Sequence, residues 1–179
     1  ARRKGWDLLV HLPMSGVQGP REPETITSED DDATIARRVV DAIASVPGAV
    51  GLNNHQGSLA TADRRVVRAV LAVVRDRGLF FLDSKTTAAS VAAEVSRELG
   101  LASIPRDVFL DDARAEAAEG GAPEARAKAW SRALSIAASR GHAVVIGHPN
   151  PATVEFLAAK LPELGKRGVL RARVSELVD

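Results

Sequence analysis

The stretch GAVGLNNHQGS, residues 48–58, starts as an apolar run of strand length and passes into two asparagines, a histidine, a glutamine and a serine. The first half asks for burial, and the second half places polar groups where such a run ends. The same cadence recurs along the chain in DLLVHLP (7–13), GLFFLDS (78–84), RDVFLDD (106–112), HAVVIGHP (142–149) and GVLRARV (168–174). Each run is short and apolar with no sustained alternation, the pattern of strands buried on both faces of a parallel sheet. Between the runs lie longer amphipathic or Ala-rich segments, at 31–46, 62–77, 88–99, 123–140 and 151–166, which read as helices. Pro123 suits a first helical turn, and Gly48, Gly78, Gly100, Gly141 and Gly168 follow helix ends. Strands alternating with helices predict an α/β fold with parallel strands, in one domain spanning residues 1–179. Residues 15–30, SGVQGPREPETITSED, read as one long exposed loop ahead of the first helix.

Composition narrows the function. With 24 Lys and Arg against 23 Asp and Glu, the formal net charge is +1, and aromatic residues make up 3% of the chain, so a nucleic-acid partner is not expected. The absence of cysteine excludes disulfides, thiolate catalysis and Cys-ligated metal. No apolar run approaches the roughly 20 residues of a membrane span. There is no Walker loop, Rossmann glycine fingerprint, nucleophile elbow or HExxH helix.

The unusual polar residues collect at one end of the runs: His11, then Asn53, Asn54 and His55, then Asp83, Asp111 with Asp112, and His148. In parallel β/α folds the C-terminal rim of the strands is where binding and catalytic groups gather. His142 begins its run, lies at the other end and reads as structural. Each rim residue has a plainer use as well. Asp83, Asp111 and Asp112 can cap a loop or a following helix, His11 can bond a backbone carbonyl, and Asn53 and Asn54 can serve a turn. Two imidazoles with a carboxylate would leave room for water in a hydrolytic metal centre, and His11 and His55 are neighbours on adjacent runs.

GWDLLVHLPM, GLNNHQGS, RGLFFLDSKT, RDVFLDD and AVVIGHPNPAT, in that order and spacing, resemble the divergent polysaccharide deacetylase family, the YibQ-like relatives of NodB-type carbohydrate esterases. The resemblance implies a distorted β/α barrel and a metal-dependent deacetylase centre, the metal expected to be zinc. It implies His11 and His55 as metal ligands, Asn53, Asn54 and Ser58 as substrate-binding residues, and His148 as general acid with Asp83 as the acidic residue orienting it. The family's first strand, ending in an Asp-Asp pair that supplies a ligand and a base, is expected upstream of Ala1, so the chain reads as lacking that strand. Where NodB relatives have a second histidine and YibQ-like proteins commonly a glutamate, this chain has Ser15.

The function implied is hydrolysis of N- or O-acetyl groups on a cell-envelope glycan of peptidoglycan type, in an exported or periplasmic bacterial protein. Two rivals stand beside it. One is a deacetylase-like barrel without turnover that binds a glycan or a protein; the other is an aldolase- or isomerase-type barrel with Lys85 as its catalytic lysine.

Overall fold

The computed structural model describes residues 4–18, 22–118 and 121–178. In chain order the elements are β1 (Leu9–Met14), α1 (Asp32–Ser45), β2 (Gly51–Gln56), α2 (Arg64–Asp76), β3 (Phe80–Asp83), α3 (Ala92–Leu99), β4 (Ser103–Pro105), β5 (Val108–Phe109), α4 (Ala113–Ala118), α5 (Ala122–Arg140), β6 (Val145–Ile146) and α6 (Pro151–Lys160). β1 to β4 form one parallel sheet in chain order, and β5 pairs in parallel with β6. The expected α/β class with parallel strands is therefore present. The described residues of Ala1–Pro105 with Arg173–Asp179 form one compact unit, and those of Arg106–Ala172 form a second.

In the first unit, burial alternates along β1: Val10, Leu12 and Met14 are buried while His11 is exposed. Because successive side chains point to opposite sides of a sheet, Val10, Leu12, Met14, Leu52 and Phe81 share the face that packs against Ile35 and Val39 of α1, Val66, Val70 and Val74 of α2 and Val95 of α3. Each of these buried aliphatic side chains contributes on the order of 1.5–3 kcal/mol. The opposite face carries His11, Pro13, Gly51, Asn53, His55, Phe80 and Leu82, as the register His11↔Asn53, Pro13↔His55, Gly51↔Phe80 and Asn53↔Leu82 requires. Gly51 is dictated by its neighbour, since a Cβ there would come within 2.7 Å of the Phe80 ring.

The helices begin where the sequence supplies caps. Asp31 accepts the Thr34 amide ahead of α1, Asp63 accepts the Arg65 and Val66 amides ahead of α2, and Asn150 accepts the Thr153 amide ahead of α6. Gly100 and Gly141 end α3 and α5 in the left-handed conformation.

Four expectations need correction. The terminal run GVLRARV forms no strand; Leu170 is 88% exposed, and without a burial partner an Arg-interrupted run has nothing to hold it extended. A strand lies instead at Ser103–Pro105, between α3 and β5, and the short helix α4 follows Asp112. The last helix ends at Lys160 rather than continuing to residue 166, giving way to 3-10 turns around Pro162. Within 15–30 the described residues are not uniformly exposed: Ile26 is fully buried, donates its amide to the Pro13 carbonyl and accepts the Ser15 amide. Its apolar side chain draws that part of the segment against the end of β1.

Candidate functional site

Three rungs of the first sheet build the candidate site. β1 runs three residues beyond His11, so this histidine sits mid-strand in register with Asn53, and Asn53 in turn is in register with Leu82 of β3. His11 Nδ1 lies 2.7 Å from Asn53 Oδ1, and His55 Nδ1 lies 3.0 Å from His11 Nε2. The two rings meet edge to face with centroids 4.8 Å apart. Asn53 Nδ2 donates to the Leu82 carbonyl at 2.8 Å and to Ser84 Oγ at 2.7 Å. A carboxylate oxygen of Glu22 stands 4.0 Å from His55 Nε2.

Two ring nitrogens 3.0 Å apart need a proton or a cation between them. Two ligands of one tetrahedral zinc ion, each about 2.0–2.1 Å from it, are separated by about 3.3–3.4 Å. The separation of the two histidine nitrogens is a little shorter than that, and Asn53 holds Nδ1 of His11 from behind, the kind of contact outer partners make with metal-bound histidines. Among the described residues no group of three or more His, Asp or Glu side chains gathers as a metal site.

The loops beyond β2 and β3 are tied together. Asn54 is fully buried; it accepts the Ser84 amide at 2.8 Å and donates to the Gln56 carbonyl at 2.7 Å, which leaves it to shape the site through the backbone. Thr86 Oγ1 donates to the same carbonyl. Among the described residues Gln56, the last of β2, and Lys85, just past β3, are the non-glycine residues with positive φ, at 55° and 45°. Such conformations persist where surrounding bonds impose them. Ser58 Oγ accepts the Val17 amide at 2.9 Å and so anchors the first turn of the 15–30 segment. Ser15 is buried, and its carbonyl accepts the Leu59 and Ala60 amides. Asp83 is buried, with one carboxylate oxygen taking the Lys85 amide and the other the Ser90 hydroxyl, each at 2.7 Å. That is the turn-closing use open to an acidic residue after a strand.

The second unit holds the other histidine. His148 Nδ1 lies 3.1 Å from Asp111 Oδ1, its backbone amide donates to the same carboxylate, and its side chain is 61% exposed while that of Asp111 is 3% exposed. Asp111 also accepts from Asn150 Nδ2 and Thr153 Oγ1, each at 2.9 Å. The carboxylate that orients His148 is thus Asp111, where the sequence reading looked to Asp83. A hydrogen bond to Nδ1 holds the ring with Nε2 facing outward, able to give or take a proton. Phe109 packs against the ring, with centroids 5.2 Å apart. His142, whose Nε2 lies 3.5 Å from Arg140, stands before β6, at the opposite end of that strand from His148.

Sequence reasoning missed the pairing of Asp111 with His148, the contact of Glu22 with His55 and the hold of Ser84 on Asn53. The strand-end position of Asp111 was a usable signal, but its pairing across 37 residues was not.

Comparison with known proteins places these residues in a family. The profile described as divergent polysaccharide deacetylase matches residues 1–178. An uncharacterized protein of Haemophilus influenzae is 36% identical over 165 residues, covering 92% of this chain and 56% of that protein. The uncharacterized protein YibQ of Escherichia coli is 36% identical over 158 residues, covering 88% of this chain and 47% of its own length. The chain thus spans about half the length of these relatives. The crystal structure of the uncharacterized protein ATU2773 from Agrobacterium tumefaciens superposes with a TM-score of 0.89 at 23% identity, over 99% of this chain and 70% of that one, which bears on the fold. With the profile covering its length and relatives at this identity, the chain belongs to the divergent polysaccharide deacetylase family.

Proposed function

We propose that this chain is a deacetylase domain, residues 1–179, hydrolysing N- or O-acetyl groups of a cell-envelope glycan, with a divalent ion, zinc by preference, held by His11 and His55. The observation that carries the reading is the approach of His11 Nε2 to His55 Nδ1 at 3.0 Å with Asn53 fixed behind. The ion, when bound, supplies Lewis-acid polarisation of the acetyl carbonyl and acidification of a water. His148, with Nδ1 held by Asp111, has Nε2 free to donate a proton to the departing amine or alcohol. The family pattern implies an Asp-Asp pair as the base and the remaining ligand. Ser58 and the 15–18 turn that it anchors form a wall against which substrate can lie. The distorted β/α barrel belongs to the same proposal, supported by the parallel strands and intervening helices of each unit. Among the described residues no helix is long and apolar enough to cross a membrane. An exported or periplasmic location is proposed because the substrate assigned here is an envelope glycan.

A second reading, a barrel of this kind that binds glycan or protein without turnover, is favoured by one observation. Ser15, at the position where the resemblance implies a histidine or a glutamate, is buried with its backbone committed to neighbouring turns. Calorimetric titration of the protein with zinc, beside His11→Ala and His55→Ala, tests the proposal, followed by acetate release from N-acetylglucosamine oligomers. Zinc binding abolished in both variants, with acetate release that depends on it, is the expected result. Zinc binding without turnover on any acetylated glycan favours the binding reading, and no zinc binding in the parent removes the metal hydrolase.

A further inference from the structure

We infer that Asn53 is a positioning residue that locks the tautomer of His11, rather than a group that contacts substrate. The inference deepens the metal-site reading above and rests on it in one arm of its test. The argument starts from what each atom can do. A backbone carbonyl only accepts, so the end of the Asn53 amide that lies 2.8 Å from the Leu82 oxygen must be the NH2 group. Its second hydrogen goes to Ser84 Oγ at 2.7 Å, and the hydrogen of that hydroxyl goes in turn to the Asn54 carbonyl at 2.8 Å. The Asn53 carbonyl oxygen is then fixed on the other side, 2.7 Å from His11 Nδ1, and it too can only accept. His11 Nδ1 must therefore carry a proton. In the neutral ring Nε2 is left with its lone pair, pointing at His55 Nδ1 3.0 Å away.

The geometry follows from register. His11, Asn53 and Leu82 occupy one rung across three parallel strands, so the amide of the middle strand spans from the carbonyl of one neighbour to the ring of the other. Which imidazole nitrogen offers a lone pair to a metal is set by the bond that the other one makes. The asparagine of NNH thus performs for His11 what an outer carboxylate or carbonyl performs for many zinc-bound histidines. The Leu82 carbonyl keeps the Asn53 amide from turning over, and Ser84 takes the second hydrogen.

The experiment is long-range proton–nitrogen NMR on metal-free protein with 15N-labelled histidine, at a pH alkaline enough for neutral rings, beside zinc titration by calorimetry. In the wild type His11 is expected as the Nδ1–H tautomer. In Asn53→Leu the ring is expected to shift to a mixture or to the Nε2–H form, and zinc affinity to fall by about 10–100-fold. Ser84→Ala leaves the Leu82 carbonyl to orient the amide and is expected to keep the Nδ1–H form. An Nε2–H tautomer in the wild type overturns the inference, and this holds even should Asn53→Leu fail to fold. So does an unchanged tautomer in a folded Asn53→Leu. A tautomer governed by Asn53 in a protein that binds no zinc keeps the lock and removes the metal reading. Zinc binding with a tautomer indifferent to Asn53 does the reverse.

Discussion

Asp111 illustrates how one buried carboxylate can organise a motif. It receives the His148 amide and ring, the Asn150 side chain and the Thr153 hydroxyl, so IGHPNPAT folds around a single acceptor. Thr153 is 2% exposed and has no water to turn to. Asp111→Ala is therefore expected to destabilise the fold by about 1–3 kcal/mol, the cost of a buried donor left unsatisfied, read as a lowered urea midpoint. Glu22→Gln should behave otherwise. Its side chain is 55% exposed and its oxygen is 4.0 Å from His55, so stability should change by less than about 1 kcal/mol, in the same urea experiment. The contrast also shows what the sequence could reveal of the site. That His11 and His55 are neighbours on adjacent runs could be read from the sequence, and their rings do meet, although β1 continues three residues beyond His11. The partner of His148 could not be read, because two short strands bring Asp111 to it from 37 residues away and nothing local encodes their pairing.

Elements were legible where local chemistry suffices and illegible where it does not. α2 combines a cap at Asp63 with buried Val66, Val67, Val70, Leu71 and Val74, so both its start and its inward face can be read from the sequence. Asp63→Ala removes the acceptor for two amides and should cost about 1 kcal/mol in urea unfolding. Asp31, the cap of α1, has its carboxyl held below the ordinary value by hydrogen bonds from Thr34, with Arg65 and Arg37 adding attraction. A folded-state value below the unfolded one means that the stabilisation is complete above the unfolded value and is lost as pH falls through the folded one. Asn caps as well but carries no charge, so the urea midpoints of wild type and Asp31→Asn should differ at neutral pH and converge on acidification. β4, by contrast, is three residues ending in Pro105, too short for any periodicity, and it exists because β3 offers Phe81, Leu82 and Asp83 an open edge to pair. GVLRARV has the composition of a strand but pairs with no strand among the described residues.

For the molecule as a whole, the proposed reaction makes a claim that no single variant tests. His11 and His55 belong to one compact unit and His148 with Asp111 to the other. If metal polarisation and proton donation serve the same transition state, the two contributions are conditional on each other. A polarised carbonyl gains little when the leaving group cannot be protonated, and a proton donor gains little when the carbonyl is not polarised. Residues that act as a unit are grossly non-additive in kcat. With acetate release established, His11→Ala with His148→Ala should therefore be no slower than the more damaged single variant by more than about threefold, whereas independent contributions would multiply. Zinc supplies the structural control. At about 100 times its dissociation constant it should raise stability by about 2.7 kcal/mol in the wild type and in His148→Ala alike, and not in His11→Ala. Multiplicative losses in the double variant would assign His148 to another step or another ligand. A zinc shift lost with His148 would instead draw that histidine into the metal site.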